Sequence, residues 1–253
     1  MLRDVNGVQI PPEQADGAVL CVANTHLFWD PDFADVKLWQ THMLVRELEK
    51  LTHKRRLPLI LCGDFNSEPT SAVHKLLAGN AMTGHRFQLR REDLPPDPHR
   101  ILPEHTHRLS HGLLLQSAYG TVLGEEPEFT NYTEQYVGCL DYIWVSADRA
   151  TPVAVLRLPE VRQLTAMTRS ALPNPQHPSD HLSLCADIVI GMPSQRLAMT
   201  IAQAQGQGQI AGAMPGVGIG VGVSVGVGVG VQHVGGMRPG VQGVQGASTQ
   251  HLL

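Results

Sequence analysis

The sequence predicts an α/β or α+β sandwich over residues 1–192, followed by a low-complexity tail over residues 193–253. Two observations predict the folded part: short apolar runs rich in branched residues, and one segment whose apolar residues recur at helical spacing. The near-disappearance of charged and aromatic residues after residue 192 predicts the tail. One domain plus a tail suits a chain of 253 residues, of which 42% are hydrophobic.

The first predicted unit is a strand, a helix and a second strand. The apolar runs "AVLCVANTHLF" (18–28) and "LPLILCGDF" (57–65) end in polar residues, as strands do where they reach a sheet edge. Between them, residues 34–51 carry a broad apolar helical face that includes Trp39 and Leu48.

The remaining elements follow the second strand. A helix is predicted within "SEPTSAVHKLLAGN", with Thr70 or Ser71 as its N-cap and its end at Gly79. Residues 80–112 contain many prolines and histidines without periodicity, which predicts a long loop. Strand-like runs return as "EFTNYT", "CLDYIWVS", "TPVAVLRLP" and "HLSLCADIVI". The breaks between them are mostly short, which favours antiparallel pairing.

The tail contains a Gly-Val near-repeat from Gly216 to Val231. It lacks the bulky residues that would offset the entropy of ordering it, which predicts a disordered, elastin-like segment. A self-associating strand and a mistranslated or mis-spliced end are the alternatives. The uncharged run over residues 210–232 has the length of a membrane span, but about a third of it is glycine, so we predict no membrane helix.

Charge restricts the classes of partner. Nineteen Lys and Arg residues against 23 Asp and Glu residues give a net charge of −4, so no global basic field favours nucleic acid. A polyanionic substrate would therefore need a local device, such as a metal ion. The N-terminal "MLRDVNGVQI" has no apolar core of a secretory signal, which predicts an intracellular protein.

Polar residues recur at the predicted strand ends: His26, Asp64, Asn66, Asp141, Asp180 and His181. If these ends meet at one edge, they form a cluster of carboxylates, an amide and two imidazoles. Hard oxygen ligands suit magnesium, and a metal can neutralise a phosphodiester, activate a water and steady the leaving oxygen. Each residue alone has an ordinary alternative: an Asx-turn, a surface carboxylate, an aspartate paired with an arginine, or a half-buried histidine.

Five motifs, in order, carry a family resemblance: "ANTHLFWDP", "LCGDFNSEP", "FTNYT", "GCLDYIWVSAD" and "PSDHLSL". Together they resemble the C-terminal half of the endonuclease/exonuclease/phosphatase superfamily. The runs "DVKLWQTHMLVRELEK", "LSHGLLLQSAYG" and "LPNPQHPSDHLSL" are similar to the carbon-catabolite-repressor-type deadenylases, which shorten poly(A) tails within the Not complex. The resemblance covers residues 18–190.

The resemblance implies a two-sheet sandwich flanked by helices and a magnesium-dependent 3′-5′ exoribonuclease that acts on poly(A) RNA. Manganese is the alternative metal, and the cytoplasm, with the nucleus as an alternative, is the implied location. Other phosphodiesterases of the superfamily, of the 2′,5′-oligoadenylate or nucleotide phosphatase type, are the nearest rivals. A non-catalytic remnant that binds a partner or RNA is the alternative from a different class.

The resemblance also implies roles for the residues at matching positions. Asp64 would orient or deprotonate the attacking water, and Asn66 would steady the phosphate and help to hold the metal. His181, partnered by Asp141, would stabilise the pentacovalent phosphate. Asp64, Asn66 and Asp180 would form the metal site.

Three further positions match residues that contact the substrate in this family. His26 would contact the scissile phosphate. Pro31 and Tyr136 would sandwich the terminal adenine, and stacking on an aromatic ring contributes about 1–3 kcal/mol per base. The alternative for Tyr136 is an exposed loop tyrosine.

The sequence departs from the family in its first half. An asparagine near the first strand and a metal-binding glutamate in a Gln-Glu motif have no counterpart, and no leucine-rich docking repeat for Not-complex subunits is present. We therefore expect a sandwich that is incomplete at its N-terminal side, with an open sheet edge and an exposed apolar face. Such a fragment of an active enzyme is expected to be weakly active or inactive on its own.

Overall fold

A computed structural model describes residues 19–94, 101–102, 106–165 and 171–190, together with the backbone of residues 222–227. Within these ranges the helices are α1 (Ala34–His53), α2 (Ala72–Thr83), α3 (Ala118–Leu123) and α4 (Val161–Leu164). The strands are β1 (Cys21–His26), β2 (Leu59–Asp64), β3 (Leu89–Arg90), β4 (Arg108–Leu109), β5 (Leu115–Ser117), β6 (Asn131–Tyr132), β7 (Val137–Gly138), β8 (Asp141–Ser146), β9 (Ala150–Val155), β10 (Leu184–Ile190) and β11 (Gly222–Val227). None of the described helices is long and apolar enough to cross a bilayer.

Two sheets organise the chain. The first has the strand order β1-β2-β8-β5, and the second has the order β11-β10-β9. β1 and β2 are parallel, with α1 as the crossover between them, so the predicted strand-helix-strand unit is confirmed. β8 runs antiparallel to β2 and β5, and β9 runs antiparallel to β10. The predicted mixed α/β sandwich is therefore confirmed.

The central strands β2 and β8 are buried on both faces. Leu61 and Trp144 pack with residues of α1 and α2 on one side of the first sheet. Ile60, Ile143 and Val145 pack against β9 and β10 on the other side. Because both faces are covered, the sequences of these strands are continuous apolar runs, without the alternation of apolar and polar residues seen in half-exposed strands.

The start of α2 agrees with the sequence, but its end does not. The Oγ of Ser71 accepts a hydrogen bond from the first turn of the helix, as an N-cap does. The predicted end at Gly79 is wrong, because the helix continues to Thr83 and stops at Gly84, which has a φ of 71°. Gly79 stays inside the helix, where the ring of Phe87 lies against its Cα and leaves no room for a Cβ.

Residues 80–112 are not entirely the loop that the sequence predicts. β3 and β4 pair within this segment, and a 3₁₀ turn follows β3. The buried Asn80 connects its two ends: the Oδ1 accepts from the Phe87 N–H at 2.6 Å, and the Nδ2 donates to the carbonyls of His111 and Leu113. This long-range contact has no periodic signal in the sequence.

Six residues of the tail, which the sequence predicts to be disordered, form a strand in the structure. Gly222–Val227 forms β11 and pairs antiparallel with β10. The outer edge of β10 offers backbone hydrogen-bonding groups, and a segment in which valine alternates with small residues can supply an extended partner. The other residues of the region 193–253 lie outside the described residues.

Gly63 sets how closely β1 and β2 approach each other. Its φ of 138° is in the region that favours glycine, and a Cβ at this position would fall on the backbone of Thr25 in β1. Because backbone atoms of a paired strand cannot move aside as a side chain can, this position excludes any larger residue.

We therefore expect Gly63→Ala to destabilise the protein by at least about 4 kcal/mol, or to prevent folding. Gly84→Ala is the matched control, because Gly84 also has a positive φ but open space around the added methyl group. It should cost about 1–2 kcal/mol. Urea denaturation of both variants measures the difference, and equal losses would contradict the steric explanation.

His111 is a buried neutral histidine. Its Nε2 donates to the Leu76 carbonyl at 2.9 Å, and its Nδ1 faces the Asn80 Nδ2 at 3.3 Å. Burial lowers the pKa of His111 below its ordinary value of 6.5, although the contact with Leu76 acts in the opposite direction. The unfolded chain therefore binds a proton at this residue more readily than the folded chain does.

Consequently the free energy of unfolding should fall as the pH falls below about 6.5, where only the unfolded state takes up this proton. His111→Gln removes the group, so its loss of stability between pH 7.5 and 5.5 should be smaller than that of the wild type. Urea denaturation at both pH values measures this. The exposed His85 supplies the control, since His85→Gln should keep the wild-type difference.

Candidate active site

Strand register brings three of the predicted site residues together. His26 at the end of β1 pairs with Asp64 at the end of β2, and Asp64 pairs with Asp141 at the start of β8. β1 and β2 are parallel and β8 is antiparallel to them, so the three residues meet at one edge of the sheet. Strand register therefore brings three of the six predicted residues to one edge.

The side chains form a row of alternating imidazoles and carboxylates. Oδ2 of Asp64 lies 3.4 Å from His26 Nε2 and 3.9 Å from His181 Nε2. Oδ2 of Asp141 accepts a hydrogen bond from His181 Nδ1 at 2.8 Å. The Asp64 side chain is only 4% exposed, whereas His26 is 46% exposed and lies at the rim. The row thus runs from the surface into the buried end of β8.

Asn66 adopts a left-handed conformation, with a φ of 45°, directly after β2. Its backbone N–H donates to Asp64 Oδ1 at 2.8 Å, and its Nδ2 donates to the Leu27 carbonyl at 2.9 Å. The turn is thus the Asx-turn that the sequence left open as an alternative. It fixes the Asp64 carboxylate so that Oδ2 faces the two histidines, and neither of these two hydrogen bonds uses the amide oxygen of Asn66.

The segment that carries Asp180 and His181 is held by the "FTNYT" motif. His181 forms an antiparallel bridge with Asn131, and the Leu182 N–H donates to the Thr130 carbonyl at 2.7 Å. Asn131 Nδ2 also donates to the Asp180 carbonyl at 3.3 Å. Backbone pairing therefore sets where the imidazole of His181 enters the site.

Thr130 completes the surroundings of Asp141, and the sequence analysis missed it. Its Oγ1 donates to Asp141 Oδ2 at 2.6 Å and accepts from the N–H groups of Leu140 and Asp141. Thr130 is fully buried. The residue stands inside a motif that carried the family resemblance, but only the packed structure shows which carboxylate its hydroxyl contacts.

The environment shifts the pKa values of two site residues upward. Burial and the adjacent negative charge of Asp141 raise the pKa of Asp64 to about 6, against the effects of the Asn66 N–H and of both histidines. Burial opposes the charged form of His181, but its hydrogen bond to Asp141 and the charges of Asp141, Asp64 and Asp180 outweigh it and raise its pKa. The site therefore favours a bound positive charge.

A pocket of about 560 Å³ opens beside this row, and Asn66, Asp180 and His181 line it. Pro31 and Tyr136, the predicted base-binding residues, line the same pocket. Tyr136 is 36% exposed, so it is partly the exposed loop tyrosine of the alternative.

Two contacts fix the ring of Tyr136. Its hydroxyl donates to Glu68 Oε1 at 2.9 Å, and the ring lies against Gly138, where a Cβ would collide with it. Trp29, which the sequence analysis did not single out, is 68% exposed and also lines the pocket.

The residues at this edge fit a divalent cation. One ligand atom from each of Asp64, Asp141 and His181 lies within 4.8 Å of the others. The two hydrogen bonds to Asp141 Oδ2, from Thr130 Oγ1 and His181 Nδ1, engage part of this set. The oxygen atoms of Asp64, Asn66 and Asp180 are the donors that suit a hard cation, and Asn66 and Asp180 line the pocket.

Known proteins share this part of the chain. The model of the Endonuclease/Exonuclease/phosphatase family matches residues 6–181. Carbon catabolite repressor protein 4 homolog 1 of Arabidopsis thaliana is 40% identical over 199 residues, which cover 72% of this chain and 32% of that protein. The CCR4-Not complex 3′-5′-exoribonuclease subunit Ccr4 of Yarrowia lipolytica is 31% identical, with coverage of 68% and 26%.

Two further proteins are similar to this chain. The 2′,5′-phosphodiesterase 12 of Mus musculus is 34% identical over 172 residues, which cover 67% of this chain and 26% of that protein. A crystal structure of ANGEL2, a 2′,3′-cyclic phosphatase, has a TM-score of 0.54 at 27% identity and covers 67% of this chain and 56% of that one. The chain thus spans about a third or less of the length of these curated relatives.

The hydroxyl of Thr130 generates a prediction about stability. Thr130→Val keeps the shape but removes the donor to Asp141 and the acceptor of two buried N–H groups. We expect a loss of about 1–3 kcal/mol in the free energy of unfolding, measured by urea denaturation at pH 7.5. Thr121→Val, at an exposed helical position, should change it by less than about 0.5 kcal/mol. If Thr130→Val were as stable as this control, the hydrogen bonds of the Thr130 hydroxyl would not contribute to stability as proposed.

Proposed function

This chain belongs to the endonuclease/exonuclease/phosphatase family, and on that premise we propose that it carries the active site of a magnesium-dependent 3′-5′ exoribonuclease that removes poly(A). The observation that carries the proposal is the row of His26, Asp64 and His181 beside a pocket lined by Pro31 and Tyr136. The name of the Yarrowia relative, a 3′-5′-exoribonuclease subunit, supports it.

In the proposed reaction, Asp64 accepts the proton of the attacking water. Its Oδ1 is held by the Asn66 N–H, which leaves Oδ2 as the basic atom. Burial and the charge of Asp141 raise the pKa of this carboxyl, which favours its taking up a proton. A divalent cation bound by Asp64, Asn66 and Asp180 would neutralise charge on the phosphate.

His181 and His26 stabilise the phosphate in this proposal. His181 Nδ1 is engaged by Asp141, so Nε2 is the nitrogen that can donate to a phosphate oxygen. The raised pKa of His181 favours the protonated imidazole, which donates where negative charge grows in the transition state. His26, at the rim, contacts the scissile phosphate from the opposite side of Asp64.

The proposed preference for adenine rests on Pro31 and Tyr136. Both line the pocket, and the fixed ring of Tyr136 offers a flat apolar surface. The proposed partners are poly(A) RNA and subunits of the Not complex, since the Yarrowia relative is named as a subunit of that complex. The cytoplasm, with the nucleus as an alternative, is the proposed location.

A second candidate is hydrolysis of a shorter nucleotide. The mouse relative is named a 2′,5′-phosphodiesterase and ANGEL2 a 2′,3′-cyclic phosphatase, and each covers 67% of this chain. The non-catalytic binding module is the third candidate.

One assay compares all three candidates. With Mg²⁺ present, the full chain should shorten 5′-labelled poly(A) RNA stepwise at a low but measurable rate, and EDTA should stop the reaction. Asp64→Asn and His181→Gln should each lower the rate by about 10²–10⁴-fold, as expected for the loss of an acid-base group. His85→Gln, at an exposed position outside the pocket, is the matched control and should keep the wild-type rate.

The choice of substrate separates the candidates. Cleavage of 2′,5′-linked oligoadenylate but not of poly(A), with the same dependence on Asp64, would support the second candidate and contradict deadenylation. Binding of poly(A) without hydrolysis of either substrate, unchanged in Asp64→Asn, would support the binding module.

A further inference from the structure

The pocket contains a buried lysine that none of the proposed steps uses. Lys37, near the start of α1, is 6% exposed and lines the pocket together with Asn66 and His181. Within the described part of the chain the ammonium group has no hydrogen bond or ion pair, and it is not among the enclosed unpaired atoms, so it opens into the pocket. A mostly buried side chain whose charged end opens into the pocket is placed to bind an anion there.

The ammonium group of Lys37 interacts electrostatically with the carboxylate of Asp64. Burial lowers the pKa of Lys37, and the negative charges of Asp30 and Asp64 act in the opposite direction. Lys37 is therefore close enough to Asp64 to interact with it, but it is not paired with it. A lysine that served only as a counterion would be expected to contact the carboxylate directly.

The rest of the pocket favours an anion near Lys37. Among the described lining residues, Lys37 is the one with a fixed positive charge, whereas Glu68 and Asp180 are acidic. The first residues of α1 and α2, Ala34 and Ala72, also line the pocket, so two helix N-termini add partial positive charge. Positive potential is thus concentrated on the side of the pocket formed by these helices.

We propose that Lys37 binds a phosphate oxygen of the nucleotide whose base stacks at Pro31 and Tyr136. The inference rests on the proposed function, and it adds a substrate-binding residue that fixes the nucleotide by its phosphate. Lys37 holds the phosphate and takes no proton from the reaction.

The test compares a ligand that has the phosphate with one that lacks it. Binding of adenosine 5′-monophosphate and of adenosine to the full chain is measured by calorimetry with Mg²⁺ present. Lys37→Met should weaken binding of the monophosphate about tenfold to a hundredfold, as expected for a charge-assisted contact, and leave adenosine binding within twofold. Lys37→Arg should restore most of the affinity for the monophosphate.

Two controls exclude a general effect on charge or folding. Lys75→Met removes an exposed lysine of α2 outside the pocket and should leave both affinities unchanged. Thermal unfolding checks that Lys37→Met is folded. In the hydrolysis assay, Lys37→Met should raise KM for a short oligoadenylate more than it lowers kcat, because the contact is made in the bound substrate.

The outcomes separate this inference from the proposed function. Equal affinity of the wild type and a folded Lys37→Met for the monophosphate would overturn the inference, even if poly(A) is hydrolysed. Equal weakening of both ligands would overturn it too, since the effect would not belong to the phosphate. Lys37-dependent binding of the monophosphate without hydrolysis of any RNA would support the inference and contradict the proposed function.

Discussion

The geometry of the site depends on the pairing of β2 with β1 on one side and with β8 on the other. This register places His26, Asp64 and Asp141 side by side at one edge. The close approach of the β1 and β2 backbones at Gly63 and Thr25 keeps the pairing tight up to the last residue of each strand. The loops that carry Asn66 and His181 are then attached to strand ends whose positions are already fixed.

The same register puts two buried carboxylates next to each other, which costs stability. The structure offsets the cost with polar contacts: Asp64 accepts from a backbone N–H, and Asp141 accepts from Thr130 and His181. The compensation is incomplete, since Asp141 Oδ1 is buried without a partner among the described residues and the pKa of Asp64 is raised. Such uncompensated charge is typical of sites that bind and react rather than of packing alone.

The sequence was informative wherever a local signal determines structure. The apolar runs before His26 and Asp64 predicted the strands, and their polar ends predicted which side chains would meet. Contacts that depend on the packed chain could not be predicted from it. Thr130 faces Asp141 because the β6–β7 hairpin brings the chain back to the start of β8, and the ring of Phe87 packs on Gly79 inside the helix. The β11 pairing was missed because a Gly-Val repeat forms a strand only when another strand edge is available.

The hydrogen bond between Tyr136 and Glu68 joins the turn between β6 and β7 to the loop before α2 across the mouth of the pocket. A ring held at both its hydroxyl and its face has already lost its rotational freedom before any flat ligand arrives. Immobilising such a side chain on binding usually costs about 0.5–1.5 kcal/mol. Here the side chain loses that entropy on folding. A molecule that stacks on the ring therefore binds more tightly than it would to a mobile tyrosine.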